Sequence, residues 1–421
     1  MTMRGAGTPP AGRVGIFGKV GAGNIGNDAS MESVLGFLNS RHPGVVVDAM
    51  CTGPDVVRAR YGIEAVPLFW HLKYQQSGPA ATVRKVLGKG VDVFRTAAWV
   101  RRHDVVIVPG AGVLEASLPM IPRGFPYSLF LLSAWGKLLG TKVAMVSVGA
   151  GAVNQPITRW EFNTAARLAF YRSYRDPGAR EAMRKRGLDV SRDSVYPDLA
   201  FALPAPPTEA GDKRIVAVGV MAYYGTNDDK KQADEIYAGY VDGMKRFTRW
   251  LVDGGHQVLL LVGDTNGSDN DVVQEILADL RANRPDLDQG TVTAAAVTSY
   301  ADVMRVLAPV GSVVAIRYHN ILCALKLSKP TISIGYSPKH DVLIADMGLP
   351  EFGLAVSALD ISELTRLFTE LESRSAELRQ LLLARNAAKA QLIGDLFAEL
   401  SARLFPPSEP ARAGTVREPV V

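Results

Sequence analysis

The sequence predicts an α/β protein made of two Rossmann-like, doubly wound domains in tandem. Three observations carry that prediction. Short, continuous apolar runs alternate with stretches of helical periodicity, the signature of parallel strands covered on both faces. The apolar runs end in glycine turns, and the whole pattern stops at a Pro-rich break over 203–212 and then starts again. The break divides the chain into a flexible N-terminus over 1–12, a first domain over 13–205, a second domain over 213–404 that ends in long helices, and a disordered tail over 406–421.

The elements follow in order. Arg-Val-Gly-Ile-Phe-Gly (13–18) is the first strand, followed by a glycine loop and a helix over 29–39. Further strands are expected at 44–50, 104–109 and 142–148, with helices and loops over 54–103 and helices at 127–139, 158–171 and 177–185. After the break, strands are expected at 214–221, 256–264, 291–295, 312–316 and 330–334. Helices at 234–253, 269–283, 299–307 and 319–327 separate them, and helices fill 360–404. Two such domains joined by a short linker leave a cleft beside the strand C-terminal ends, where open α/β sheets bind ligands.

Composition narrows the function. The 421 residues are 47% apolar and 21% charged, ordinary globular values, with a net charge of +5. No Lys/Arg run is long enough to suggest nucleic acid. The positive excess suits an acidic small molecule or an anionic membrane surface. Cys51 and Cys323 stand far apart without metal-ligand spacing, so a reducing cytoplasm is the expected compartment and no metal is expected. The N-terminal residues lack the apolar core of a signal peptide. No run of about 18 apolar residues exists to span a membrane.

Several turns could carry chemistry. Gly21-Ala-Gly-Asn-Ile-Gly26 fits G-x-G-x-x-G between a strand and a helix. Its amides could face an anion, a dinucleotide pyrophosphate included, with Asp48 near the position expected for a ribose-binding acid. A plain tight turn and an acceptor-binding loop with Asn24 and Asp28 facing the cleft are the other readings. Gly110-Ala-Gly112 and Gly149-Ala-Gly151 end two strands, where glycine lets a ligand approach the backbone or simply turns the chain. In Ser173-Tyr-Arg-Asp176, Asp176 before Pro177 is a ready helix cap. Arg175 beside it could pair a carboxylate or phosphate.

The strongest signal is Arg317-Tyr-His319-Asn320, at the end of a strongly apolar strand. Arg317 offers a bidentate fork and His319 a group that titrates near neutrality. A basic pair at that place is hard to explain by packing. Gly335-Tyr-Ser-Pro-Lys-His-Asp (335–341) follows the next strand, so Lys339 and His340 could complete a cationic pocket.

Set in order, these pieces resemble the polysaccharide pyruvyl transferase family. The matching segments are Gly23-Asn-Ile-Gly26, Asp104-Val-Val-Ile-Val, Val146-Ser-Val-Gly-Ala-Gly151, Tyr174-Arg-Asp176, Pro197-Asp198, Arg317-x-His319 and Ile332-Ser-Ile-Gly-Tyr-Ser-Pro-Lys339, continuing to Met347-Gly-Leu349. The resemblance implies a GT-B-type architecture and a transferase that moves the pyruvyl group of phosphoenolpyruvate onto two sugar hydroxyls as a cyclic ketal. Carried over by position, it implies His319 and Arg317 as catalytic residues at the donor and Arg175 as a second anion clamp. The chemistry adds Asp28 as the catalytic carboxylate for an acceptor hydroxyl, and the turns add Asn24, Gly110, Gly112, Gly149, Gly151, Tyr336 and Lys339 as substrate-binding residues. Phosphoenolpyruvate would be the donor, no cofactor would be tightly bound, and the acceptor would be a glycan or lipid-linked sugar. Contact with the membrane's inner face and a homo-oligomer stay open. So do two other functions, a GT-B nucleotide-sugar glycosyltransferase and a non-catalytic carbohydrate- or partner-binding relative. Two positions depart from the family pattern: Asn27 stands where an acid is usual, and Pro109 opens the glycine run after the third strand.

Overall fold

The computed structural model describes residues 12–73, 79–115, 124–207, 209–225, 229, 231–263, 268–288 and 290–406. The expected flexible N-terminus and C-terminal tail lie outside the described residues, apart from Gly12 and Pro406. The first half builds a seven-stranded parallel sheet in the order β3-β2-β1-β4-β5-β6-β7. Its strands are β1 (Arg13–Gly18), β2 (Val46–Cys51), β3 (Glu64–Pro67), β4 (Val105–Pro109), β5 (Lys142–Val148), β6 (Tyr171–Tyr174) and β7 (Ser194–Val195). The second half builds a six-stranded parallel sheet, β10-β9-β8-β11-β12-β13. These are β8 (Asp212–Gly219), β9 (Gln257–Leu261), β10 (Val292–Ala294), β11 (Val310–Ala315), β12 (Thr331–Gly335) and β13 (Gly353–Ala355). Both orders reverse direction beside the first strand of their sheet, which opens a crevice at that strand's C-terminal end.

Helices cover both faces of each sheet. On one face of the first sheet lie α3 (Pro79–Val100), α4 (Phe125–Leu139), α5 (Pro156–Leu168) and α6 (Pro177–Lys185). There Val100, Leu129, Phe162 and Met183 bury against Phe17, Val106, Met145 and Tyr174. On the opposite face lie α1 (Ile25–Arg41) and α2 (Pro54–Tyr61). In the second half, α7 (Ala233–Asp253), α8 (Ser268–Asn283), α9 (Tyr300–Leu307), α10 (Tyr318–Lys326), α11 (Pro338–Asp346) and α12 (Ile361–Ser373) enclose an apolar core.

Several boundaries depart from the sequence expectation. Helix α1 begins at Ile25, four residues early, because the Asn24 side chain caps it by accepting from the Gly26 and Asn27 amides. The segment over 54–103 also holds β3, a short edge strand. Residues 338–346 form α11, a helix the sequence reading did not place; Pro338 sits at its N-terminus, where the missing amide costs nothing. The last helix, α13 (Ser375–Leu404), crosses back: Ile393, Leu396, Leu400 and Leu404 pack into the core of the first sheet. Sequence reading kept that helix with the second domain, because its apolar stripe does not say which sheet it covers.

The linker between the sheets is held from the second half. The Lys326 ammonium donates to the Ala200, Phe201 and Leu203 carbonyls. Lys329 does the same for Glu209 and Ala308. No described helix is long and apolar enough to cross a membrane.

Candidate functional site

Four strand-to-helix turns meet between the two halves. The first is the glycine loop after β1. Gly21 and Gly23 have φ of 73° and 85°, a conformation that L side chains resist. Gly26 has a different reason to be glycine. A Cβ there would sit 1.7 Å from the His319 ring, so the third glycine of G-x-G-x-x-G seats an imidazole from the other half of the molecule. Asp28 turns back into the loop, and its carboxylate accepts from the Gly21 amide at 2.7 Å. Burial raises the Asp28 pKa, while that hydrogen bond and Arg60 oppose the shift. Asn27 donates to the Lys19 carbonyl at 2.9 Å. Asp48 is occupied within its own half, accepting from Trp99 at 2.8 Å and pairing with Arg13 and His103. It does not serve the ribose of a dinucleotide there.

The second turn follows β4. Gly110 and Ala111 both adopt positive φ, 37° and 59°. Holding a non-glycine residue there costs energy that the surrounding structure must supply, and such strain clusters at functional sites. The turn delivers Glu115, which sequence reasoning passed over. A Cβ on Gly112 would lie 1.8 Å from the Glu115 carboxylate, and one on Gly151 would touch its Cβ at 3.4 Å. Gly112 therefore makes room for this acid, while Gly151 lies in ordinary contact with it.

The third turn carries Arg175, at the end of β6. The strand beside it, β5, contains Ser147 at φ 50° and an irregular register against β6 between Met145 and Val148. That distortion brings Gly149 under the guanidinium, where an added Cβ would stand 2.7 Å from Arg175. Arg175 is buried, with Asp176 at 3.4 Å, Glu115 at 3.6 Å and Asp198 at 3.9 Å. Its guanidinium lies 5.1 Å from the Tyr318 ring centroid. Burial opposes the charge, but Tyr318 and the carboxylates outweigh it and hold the pKa above the usual arginine range. Asp176 is the N-cap of α6, accepting from the Ala179 amide at 2.6 Å.

The fourth turn joins β11 to α10, and it splits the pair that the sequence places together. His319 points to the first half and rests on Gly26. Burial pushes its pKa down to about 4; Asp198 opposes this, and Lys339 and Arg175 add to it. Arg317 points the other way. Its Nε and Nη2 form a fork on Asp269, at 2.8 and 2.7 Å, with the stem packed over Gly263. Asp269 is fully buried and also accepts from the Ala222 amide at 3.1 Å. It sits in the first turn of α8, and no pattern in the sequence links it to Arg317, 48 residues on.

Lys339, in the first turn of α11, completes the group. Its ammonium is 3.7 Å from Glu115, 5.7 Å from the Tyr318 ring and 5.5 Å from the Tyr336 ring. Neighbouring His340 is fully buried, its two ring nitrogens facing the Ser337 and Ile316 carbonyls at 3.0 and 3.1 Å. The structure thus gathers Arg175, Lys339, Tyr336, His319, Gly149, Gly151 and Gly112 around Glu115 and Asp198. Asn24 and Asp28 instead bond to the backbone of their own loop. Among the described residues, no three His, Cys, Asp or Glu side chains converge as a metal ligand set. A narrow cavity of about 20 Å³ lies between the halves, with Arg175, Asp176, Asp198, Tyr318 and Lys339 on its walls.

Comparisons with known proteins agree with this frame. The family model described as polysaccharide pyruvyl transferase matches residues 24–338, which is most of the chain; it takes in the second, third and fourth turns and the first from Asn24 on, and stops just before Lys339. No curated protein sequence matches. Among solved structures, UDP-GlcNAc 2-epimerase from Neisseria meningitidis, bound to UDP-GlcNAc, superposes with a TM-score of 0.59 at 11% identity, over 92% of this chain and 99% of that one. The lipopolysaccharide outer core galactosyltransferase WaaB gives a TM-score of 0.54 at 14% identity, over 93% and 99%. HepE from Anabaena, in complex with UDP and glucose, gives 0.55 at 11%, over 93% and 98%. At such identities these neighbours share the GT-B fold and nothing finer.

Proposed function

The chain belongs to the polysaccharide pyruvyl transferase family, and we propose that it transfers the pyruvyl group of phosphoenolpyruvate to two hydroxyls of a glycan or lipid-linked sugar. One observation carries the reading. Two cations from different halves, Arg175 and Lys339, close on a single carboxylate, Glu115, beside His319. Phosphoenolpyruvate is a small molecule with a carboxylate and a phosphate, and it needs converging cations of this kind.

Glu115 holds the place of the donor's acid group. When the donor arrives, it takes over Arg175 and Lys339, and the freed Glu115 carboxylate becomes the base for an acceptor hydroxyl. Donor entry then requires Glu115 to give up its two cations. The remaining steps balance as follows. The first hydroxyl adds through its oxygen to C2 while a proton adds to the vinyl carbon, giving a methyl group. The second hydroxyl then bonds to C2 as the C2–O bond to phosphate breaks. One of the two hydroxyl protons is thus matched by the proton on the methyl, and the other leaves with phosphate. His319, hydrogen-bonding at the donor, delivers the proton or stabilises the leaving phosphate. Arg317 acts from behind: locked on Asp269, it fixes the turn that presents His319.

The test is to incubate the protein with phosphoenolpyruvate and a panel of envelope glycans, following phosphate release together with a mass gain on the glycan. Release that depends on the glycan is expected. No release across the panel, with no heat of phosphoenolpyruvate binding, would sink the reading.

A further inference from the structure

We propose that the outer layer formed by α3, α4 and α5 is a docking surface for an anionic lipid bilayer. Three kinds of observation meet there, none of them part of the cleft.

The first is apolar exposure. On α3, Leu87, Val91 and Phe94 are spaced as one helical stripe and face solvent, with Leu87 63% and Phe94 75% exposed. The opposite face of the same helix is committed to the core through Asp92, Thr96, Trp99 and Val100. On α5, Ile157 and Trp160 are exposed one turn apart, and Leu138 is exposed at the end of α4. Helix α4 packs between the other two, so the side chains share one layer. Single exposed apolar residues need no explanation, but a stripe of them across neighbouring helices does.

The second is charge. From 79 to 102 and through α4 and α5, the sequence has nine Lys and Arg residues against two acids, Asp92 and Glu161. Both acids are buried. Arg101, Arg102, Lys137, Arg159 and Arg167 are exposed. Of the nine, the seven cations from Lys89 on, against the two acids, give this layer a net charge of +5, equal to that of the whole chain, so the rest of the molecule sums to zero. An apolar stripe flanked by basic side chains with no exposed acid fits the interface of an anionic membrane, where apolar groups enter the headgroup boundary and cations meet lipid phosphates. The same charge opposes a second copy of this face, which would bring two basic layers together.

The third is position. Each helix runs back antiparallel to its strands, so the first turn of α5, with Ile157 and Trp160, lies at the strand-end side of the sheet. That is the side on which Gly149, Gly151 and Arg175 form the cleft. The ends of α3 and α4, with Phe94 and Leu138, lie at the opposite rim, so a bilayer along this layer runs down the flank of the first half and reaches the cleft mouth at α5, where a lipid-linked sugar would arrive. That last link rests on the transferase reading, whereas the binding itself does not.

The experiment is co-sedimentation of the full chain with two kinds of vesicle, pure phosphatidylcholine and phosphatidylcholine with about one-third phosphatidylglycerol. Binding to the anionic vesicles alone is expected, weakening as salt rises above roughly 0.15 M. The double substitution Leu87→Ser with Phe94→Ser should weaken it about tenfold, and Arg101→Glu with Arg102→Glu similarly. Both variants should keep the wild-type unfolding midpoint and the wild-type heat of phosphoenolpyruvate binding. Wild-type protein that stays in solution, or variants that bind as tightly as wild type, would overturn the proposal. So would a dimer in sedimentation velocity that the Leu87/Phe94 variant dissolves without any vesicle binding, which would make the layer a self-association face. Phosphoenolpyruvate that fails to bind while vesicle binding holds would count against the transferase reading alone.

Discussion

Arg175 and Arg317 read alike in the sequence: each stands just before a helix and in a family motif. The structure uses them in opposite ways. Arg317 is closed, its fork filled by the fully buried Asp269 at 2.7 and 2.8 Å. Arg175 is crowded but loosely held, its three carboxylates standing at 3.4 to 3.9 Å with an aromatic ring on its flank. A guanidinium bidentate on a buried acid stabilises the fold, and an anion arriving from solvent would have to displace that acid. A guanidinium ringed by longer contacts can trade one of them for a ligand. The geometry of the partner, and not the motif, separates a structural arginine from a binding one.

The comparison can be broken most decisively at Arg317. Arg317→Ala leaves Asp269 buried without its cation, which should cost about 3–5 kcal/mol of stability. A urea midpoint would show it. Pairing Arg317→Met with Asp269→Leu removes both charges and should recover much of the loss. If Arg317→Ala instead keeps wild-type stability and loses phosphoenolpyruvate binding, the two arginines belong to one class and the contrast is void.

Arg175 gives the reciprocal outcome. Arg175→Ala should lower kcat/KM roughly 10²–10³-fold, because the interaction lost is one made to the reacting anion. Arg175→Lys keeps the charge but not the fork and should recover only part of it. Calorimetry with phosphoenolpyruvate provides the direct readout. Unchanged donor affinity in Arg175→Ala, in a variant with a normal urea midpoint, would remove this residue from the donor site.

The same contrast explains what the sequence could disclose. Parallel strands such as β5 announce themselves through a buried apolar run, and the expected 142–148 coincides with the strand observed. Two doubly wound domains follow from the restart of that signal after the Pro-rich break. Partner choice is of another kind. Asp269 is 48 residues from Arg317, and Glu115 is 60 from Arg175; each is a single acid beside a loop, with no period to mark it. One long-range contact did leave a trace. The third glycine of the first loop lacks the positive φ of Gly21 and Gly23, so its need for glycine is explained only by the His319 ring above it. A glycine whose backbone would accept alanine points to something packed against it.

Glu115 sharpens the Arg175 side of the comparison. Glu115→Gln should tighten phosphoenolpyruvate binding several-fold, since a neutral amide competes less well for Arg175 and Lys339. It should also slow turnover about 100-fold if the freed carboxylate is the base. Opposite movements of affinity and kcat distinguish this role from mere damage, which would weaken both. A parallel loss of affinity and kcat would show that Glu115 only props up the cleft.

The smallest effect concerns His319 and is read through protons. Its ring is pushed down to about 4, against 6.5 for an ordinary histidine, so at neutral pH without donor it is uncharged. Between those values the unfolded chain binds a proton that the folded chain refuses, so folding stability is lost as pH falls from 6.5 toward 4. His340, also held near 4 by burial, adds to the same trend. Donor binding should run the other way. Phosphoenolpyruvate brings negative charge beside the ring, which favours the imidazolium, so binding at neutral pH takes up a fraction of a proton and strengthens on acidification. Calorimetry in buffers of different ionisation enthalpy measures that uptake, and His319→Gln should abolish it while leaving the His340 part of the stability trend in place. Donor binding in wild type without proton uptake would place the phosphate away from His319, and the anion site would then consist of Arg175 and Lys339 alone.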